Sequence, residues 1–423
     1  MSNRQVPVHM RCDISEIDVI VVGGGAAGMM AAGQAASLDK RVLLLERNAD
    51  LGKKLRITGK GRCNITNDAD LEQFMQNVST NGKFLYSAIS AHSPRDTMDF
   101  FESIGVPLKV ERGRRVFPQS DRAADVIEAL RKWLDDRGVT VLHECVKGLE
   151  TKGGQAIGVH CGNEIIGCQA IILATGGLSY PKTGSTGDGY RFAEALGHTI
   201  VPPHGSLVPL CADECDVMQG LSLRNVTLTL RDGGGAVLFK DMGELLFTHF
   251  GMSGPLVLSA SAYLKDFSTP PYIVSINMKP ALTPEEFDAR LLRDITQSPN
   301  KTARNILAQM MHAACVPVVL QRVGVNGDLP AHSVTKEHRR EIVRTVQGFC
   351  FTVAGTRPID EAVITAGGVA VRDVNPKTME SKLVKGLYFA GELLDVDAFT
   401  GGYNLQIAWS TGYVAGRAAG CMD

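Results

Sequence analysis

The 423-residue chain has no run of the roughly 18 unbroken apolar residues that a membrane-spanning helix requires. It has almost no net charge: 44 Lys and Arg stand against 45 Asp and Glu, a formal −1. The chain-wide basic field of a nucleic-acid binder is therefore missing, and any charged partner must be met by a local patch. The opening residues, MSNRQVPVHMRCD, lack the apolar core of a secretory leader. None of the 10 cysteines belongs to a CxxC pair; the nearest two, Cys211 and Cys215, are separated by three residues. That scatter speaks against a zinc site or disulfide framework and for reduced thiols, so the expected location is the cytoplasm. Disorder as the main state is excluded, because hydrophobic residues make up 44% of the chain. The length allows two to four domains at roughly 100–200 residues each. What the chain has in excess is glycine, 45 residues, which implies many tight turns and close backbone approaches.

The first sixty residues carry most of the signal. Ile17 to Val22 is a β-branched run without alternation, as in a parallel strand buried on both faces. It runs straight into Gly23-Gly24-Gly25-Ala26-Ala27-Gly28, a G-x-G-x-x-G pattern, followed by a small-residue helix to about Leu38. Arg41 to Leu45 is a second buried strand, ending at Glu46, 21 positions after Gly25. Each part has a physical task. Gly23 makes the turn, Gly25 bares backbone N–H groups to a pyrophosphate, and Gly28 lets helix and strand approach. Ala26 and Ala27 open the helix, whose N-terminus offers free N–H groups and a partial positive charge. Glu46 can accept hydrogen bonds from two ribose hydroxyls and repels a 2′-phosphate, with Arg47 beside it. This crossover binds a dinucleotide; by itself it does not separate NAD from FAD.

Between Gly52 and Asn67 there are five cations and no acid, in a stretch rich in Gly, Asn and Thr. It reads as an ordered loop, not a helix, wrapped over a phosphate-bearing cofactor. Lys54, Arg62, Cys63, Asn64, Thr66 and Asn67 are its candidate contacts. Together with the GGGAAG fingerprint, GKKLRITGKGRCNITN resembles the BaiN/RdsA-type, HI0933-like family of FAD-dependent oxidoreductases. GELLFTHFGMSGP (Gly243–Pro255), TAGGV (Thr365–Val369) and GLYFAGELLDVDAFTGGYNLQIAWSTGYVAG (Gly386–Gly416) extend the resemblance over nearly the whole chain. The resemblance implies FAD in a Rossmann-type domain interrupted by a smaller β domain and a helical domain. It also implies chemistry such as bile-acid-like enone reduction or aminoacetone oxidation.

The expected fold class is α/β: a Rossmann-type, glutathione-reductase-like FAD-binding domain with an inserted β domain and a helical subdomain. Residues 1–200 form its first part, 201–359 an inserted β-barrel-like and helical region (helical over about 281–347), and 360–423 its second part. A helix is expected from Ser120 and Asp121 to about Asp136, then a strand over Val139 to Val146, with Val146 counted among the cofactor contacts. A hairpin turns at Gly153-Gly154. The strand Ala170 to Leu173 leads into Ala174-Thr175-Gly176, small residues that let the chain pass close to the cofactor. Near the C-terminus, Gly386 to Ala390 is a strand ending at Gly391-Glu392, and Glu392 matches by position an acid that accepts hydrogen bonds from the ribityl chain in FAD-dependent Rossmann folds. Gly402, Asn404 and Leu405 open a final helix whose N–H groups face the flavin N1–C2=O edge, which turns negative on reduction. Gly412 and Gly416 let that helix pack tightly on the sheet.

Flavin performs the electron transfer itself, so catalytic side chains are harder to see than cofactor contacts. Cys63 has no partner at C-x4-C spacing, which disfavours a dithiol relay; its cationic loop could lower its pKa, though packing is the simpler role. Arg62 is a candidate anion or carbonyl clamp, His249 a candidate proton donor, and Tyr180 and Tyr403 are candidates to donate a proton or to cover the flavin ring. There is no second G-x-G-x-x-G between a strand and a helix, so NAD(P)H, if it is the reductant, binds transiently over the flavin. The expected activity is NAD(P)H-dependent reduction of an activated C=C or C=O bond in a small-molecule substrate. The alternatives are an oxidase of a small amine or aminoketone, a non-catalytic FAD-binding sensor, and NAD alone in the N-terminal site. No nucleic-acid, membrane or metal partner is expected. Removing the ribose acid, Glu46→Ala, is expected to lower FAD retention by one to two orders of magnitude, about 1.5–3 kcal/mol; full flavin absorbance in the purified variant would count against the ribose assignment.

Overall fold

The computed structural model describes residues 17–264, 267 and 271–422. The opening residues 1–13, expected to lack the apolar core of a secretory leader, fall outside them. The chain divides into two compact units, Met1–Ser206 with Ala362–Asp423, and Leu207–Glu361.

The elements that position the site in the first unit are, in chain order, β1 (Val19–Val22), α1 (Ala26–Ala36), β2 (Val42–Leu45), β3 (Thr140–Leu142), β4 (Ala170–Leu173), β5 (Ile200–Ser206), β6 (Ile364–Val369), β7 (Leu387–Phe389) and α2 (Tyr403–Gly420). A parallel sheet runs in the order β7-β4-β1-β2-β3. β1, β2 and β4 are buried along their whole length, which is why their sequences are unbroken Val, Ile and Leu. This is the expected Rossmann-type arrangement, with β1 central and the glycine fingerprint at its carboxyl end.

α1 is buried almost all round, so its AAGMMAAGQAA sequence shows no amphipathic stripe. One face receives α2. A Cβ at Gly412 would stand 2.4 Å from Ala27 O, and one at Gly416 would stand 2.3 Å from Ala31 O. A Cβ at Gly420 would stand 3.3 Å from Ala35 Cα. The glycines of α2 therefore meet α1, not the sheet as their spacing suggested. Small residues four apart license close approach but do not name the surface approached. The register, rising together along both chains, makes the two helices parallel.

Three further boundaries differ from expectation. The strand expected over Val139 to Val146 is two strands: β3 stops at Leu142, where its partner β2 ends, and Val146–Lys152 begins an antiparallel sheet with Gln155–Cys161 and Glu164–Gly167. The cationic loop contains tight helical turns over Leu55–Gly61, broken where Thr58 is extended and Gly59 and Lys60 are left-handed. Residues 201–206 belong to β5, which pairs with β6, so the first unit runs on to Ser206. Pro202 and Pro203 sit at an irregularity in that pairing, where their missing N–H groups cost no ladder bond.

The second unit holds a closed six-stranded barrel built from Leu210–Ala212, Gly251–Ser253, Val237–Thr248, Ser222–Arg231, Ile273–Asn277 and Phe349–Thr356. Its helices include Pro284–Gln297, opened by a capping box between Thr283 and Glu286, and Lys336–Gln347. Among the described residues no helix is long and apolar enough to cross a membrane.

Gly416→Ala places a methyl group against the backbone of α1, and overpacking of this kind costs about 1–3 kcal/mol. The expected result is a lower urea midpoint; a wild-type midpoint would mean that the two helices do not touch there.

Candidate functional site

The turn after β1 is shaped by close approaches inside the protein at two of its three fingerprint glycines. A Cβ at Gly23 would stand 2.5 Å from Ala174 O, and one at Gly28 would stand 1.8 Å from Gly23 O. Gly25 is different. Its backbone is extended (φ −83°, ψ −168°), open to any residue, and nothing lies within 4 Å of where a Cβ would be. The space in front of it faces the first turn of α1, which has neither a side-chain cap nor an acid. A bare residue that neither the conformation nor the packing demands, at an uncapped helix N-terminus, is what a bound pyrophosphate requires. Ala26 and Ala27 supply that first turn. Ala174 and Thr175 pass directly beside Gly23, and Gly176 (φ +74°) follows against Ser185.

Glu46 is buried, and its carboxylate is already well used. Oε2 accepts from Gly24 N at 2.7 Å; Oε1 accepts from Asn48 N at 2.8 Å and from Asn48 Nδ2 at 2.6 Å. Of about four acceptor positions on a carboxylate, one remains, so there is room for one ribose hydroxyl bond where two were expected. Arg47 turns away from this acid. Its guanidinium binds Asp188 Oδ2 at 2.6 Å and Thr186 Oγ1. Val146 is buried at the start of its strand.

The cationic loop uses its side chains mostly on the protein. Lys54 Nζ lies 2.5 Å from Glu392 Oε2 and 2.6 Å from Ser179 Oγ. Glu392 Oε1 accepts from Ser179 Oγ at 2.8 Å and from Thr365 N at 2.9 Å. Glu392 is thus neutralised by a lysine and fixed by β6, with acceptor capacity left on Oε2 for a ribityl hydroxyl. Arg62 pairs with Glu111 and Asp121 and stacks 4.1 Å over the ring of Phe117. The hydrogen bond it donates to Glu111 holds its pKa above the usual arginine value. Two carboxylates already occupy the guanidinium that was expected to clamp a substrate. Cys63 is fully buried, and desolvation pushes its thiol up to about 12, opposite to the lowering that nearby cations would cause. It is a packing residue. Asn64 and Asn67 each present a buried Oδ1 without a donor among the described residues. Asn67 spends its Nδ2 on Gly113 O and Gly401 O, both at 3.0 Å, and Thr66 Oγ1 donates to Gln406 at 2.6 Å.

Asn67 thereby borders the second uncapped helix. α2 begins after Gly402 (φ +103°) with no side-chain cap and no acid in its first turn. The Asn404 side chain is committed, donating to Ala398 O at 2.6 Å and accepting from Ala398 N at 2.9 Å, so only the backbone N–H groups of this turn face a ligand. Leu405 follows, partly buried. Tyr403 packs edge-on against Phe74 at 5.3 Å, and burial raises its pKa, which suits a covering ring better than a proton donor. Tyr180 sits in the left-handed region (φ +51°) at the turn before Pro181. His249 lies in the other unit, exposed beside Phe250.

The parallel packing fixes the spacing of the two uncapped ends. Ala26 lies level with Thr411, eight residues into α2, so the start of α2 leads that of α1 by roughly 12 Å at 1.5 Å per residue. Two positive helix ends face the same way, one ahead of the other. FAD carries anionic or electron-rich groups at such a separation, the pyrophosphate and the flavin pyrimidine edge joined by the ribityl chain. Buried acceptors on Asn64 and Asn67 await a donor such as the flavin N3–H. The residues present fit this cofactor.

A family model described as the HI0933-like protein Rossmann domain matches residues 17–418. The chain belongs to the HI0933-like family. It is a flavoprotein oxidoreductase with a Rossmann-type FAD-binding domain. Similar relatives include the 3-dehydro-bile acid delta(4,6)-reductase of Clostridium scindens, 32% identical over 94% of this chain and 98% of that protein. The ribosomal RNA dihydrouridine synthase of Escherichia coli is 30% identical over 96% of this chain and 98% of its own. Among solved structures, the 3-ketosteroid-delta4-(5alpha)-dehydrogenase of Rhodococcus jostii shares the fold, with a TM-score of 0.54 at 15% identity over 98% of this chain and 99% of that one. Within the HI0933-like chain the residues that reading the sequence missed are Ser179, Thr365 and Asn48, which hold the two acids. Thr365 lies in the TAGGV stretch, which gave the only signal.

Gly25→Val tests the phosphate cradle without touching a packed contact. The apoprotein should keep wild-type stability within about 0.5 kcal/mol, while flavin retention falls at least about tenfold, or 1.4 kcal/mol. Full flavin occupancy in the variant would place the pyrophosphate elsewhere.

Proposed function

We propose that the protein reduces a C=C bond conjugated to a carbonyl, or the activated carbonyl itself, on a small molecule, with NAD(P)H as the electron source and FAD held as described. The observation that carries this reading is the uncapped first turn of α2. Its N–H groups stabilise negative charge on the electron-rich edge of the reduced cofactor and so favour holding electrons for delivery to an acceptor. Bound FAD supplies the hydride. The chain's own part is to orient it: Lys54, Ser179 and Thr365 fix Glu392 at the ribityl position, and Gly25 leaves the phosphates free to lie on α1.

The two relatives described above support the same bond chemistry. A delta(4,6)-reductase and a dihydrouridine synthase are both named for saturating C=C bonds, although one printed substrate is a bile acid and the other an RNA. The charge balance of this chain supports the small molecule.

Anaerobic stopped-flow mixing tests the reading. NADH or NADPH should bleach the flavin, and a cyclic enone should restore its colour. Recolouring by uridine-containing RNA and not by enones would move the substrate to nucleic acid. Bleaching by a small amine or aminoketone, with reoxidation by oxygen alone, would replace the reductase with an oxidase.

A further inference from the structure

Three residues beyond Glu392 lies an acidic pair that the cofactor site does not use, Asp395 and Asp397. Asp397 is 1% exposed. Its Oδ2 accepts a hydrogen bond from Ser206 Oγ at 2.7 Å, while its Oδ1 is buried without a donor among the described residues. An unsatisfied carboxylate oxygen at that depth is costly to keep unless a ligand, a water or a shared proton meets it. Asp395 is half-buried. Asn81 Nδ2 donates to its Oδ2 at 2.9 Å and to its carbonyl at 2.7 Å, and its own N–H reaches Val369 O at 3.0 Å. The titratable groups facing Asp395 are Asp397 on its own segment, His204 on β5 and the phenol of Tyr190. Burial raises the Asp395 carboxyl above the usual carboxylate range; Asn81 pulls it down, Asp397 adds to the rise, and His204 and the Gly367 amide oppose it.

In sequence the pair lies between Glu392 and the first turn of α2. Glu392 marks the ribityl end and the first turn of α2 the pyrimidine end, and Asn404 ties that turn to Ala398, the neighbour of Asp397. His204 stands opposite Ala366, next to the irregularity at Pro202-Pro203, where it is exposed to solvent. His204 is exposed, Asp395 half-buried and Asp397 buried, so Asp395 stands between solvent and the interior, where a carboxyl group can exchange a proton with water.

We propose that Asp395 delivers the proton that completes saturation of the substrate's C=C bond, with Asp397, fixed by Ser206, as its positioning residue. This rests on the reductase reading above. In the step, the π bond of the enone breaks. The carbon β to the carbonyl takes the hydride that bound flavin supplies, and the α carbon takes the proton as the Asp395 O–H bond breaks. The carboxylate left behind recovers a proton from water through His204. NAD(P)H is the net reductant, and the oxidised nicotinamide leaves.

Asp395→Asn should lower the rate at which an enone reoxidises the reduced flavin at least about a hundredfold relative to the rate of flavin reduction by NAD(P)H. The donor must be protonated, so activity is present below the pKa of Asp395 and lost as pH rises through it. Asp397→Asn removes the neighbouring negative charge, lowers that pKa, and should move the alkaline limb of the pH profile to lower pH. A readout independent of turnover is carboxyl carbon NMR of the oxidised holoenzyme labelled at aspartate. One signal, missing in Asp395→Asn, should titrate above the ordinary aspartate range and shift down in Asp397→Asn. Wild-type reoxidation with an unmoved pH profile in Asp395→Asn, or no aspartate signal with a raised midpoint, overturns the role of the pair. A wild-type enzyme whose reduced flavin no enone reoxidises overturns the reductase reading, and this role with it.

Discussion

The structure depends on the backbone contact between two parallel helices. Gly412, Gly416 and Gly420 of α2 lie against Ala27, Ala31 and Ala35 of α1, close enough that a methyl group on either of the first two glycines would meet a carbonyl oxygen. Parallel packing points two positive helix ends in one direction, an arrangement that is repulsive in isolation and becomes favourable when negative charge lies in front of them. Neither end carries a capping side chain or a first-turn acid that would neutralise it internally. The protein has left to a ligand what most helices satisfy with Ser, Asp or Glu. The stagger between the ends then sets what ligand fits: one with a diffuse negative group some distance beyond a concentrated one.

The acids follow from the same constraint. A site with two positive helix ends and a cationic loop needs carboxylates that bind hydroxyls without adding free charge. Glu46 is held by three amide donors and Glu392 by Lys54, Ser179 and the Thr365 amide. Each keeps some acceptor capacity, and each is fixed in orientation by backbone from another part of the fold. That is preorganisation: the hydrogen-bonding groups are ordered before the ligand arrives, which reduces the entropy lost on binding.

The parts of this design that are local in sequence were legible. Strand, glycine turn, helix, strand and acid lie within thirty residues, and both uncapped helices announce themselves by glycine at the start. The parts that depend on distant partners were not. The Lys54–Glu392 pair joins residues 338 positions apart, so nothing near Lys54 marks it as a structural cation. Arg62 looked free because Glu111 and Asp121 are far along the chain. For Cys63 packing was the simpler role, and the cations beside it in sequence do not lower its pKa, because its neighbours in space are apolar and desolvation dominates. The glycine spacing of α2 showed that something comes close and left open whether that was sheet or helix.

The expected side-chain contacts that turned out to be committed elsewhere share a feature: Arg47, Arg62 and Asn404 are long or amide-bearing groups whose donors the protein itself consumes. What remains for a ligand is largely backbone N–H at two helix ends, together with single acceptor positions on buried acids and amides. A site of that kind binds by shape and dipole, and specifies a cofactor strongly and a substrate weakly. The bond chemistry then lies with the cofactor, while the choice of substrate falls to the few polar side chains near the cofactor-holding segment that the cofactor cradle does not use. On that ground relatives of one full-length architecture can carry names as different as a bile-acid reductase and an RNA-modifying synthase.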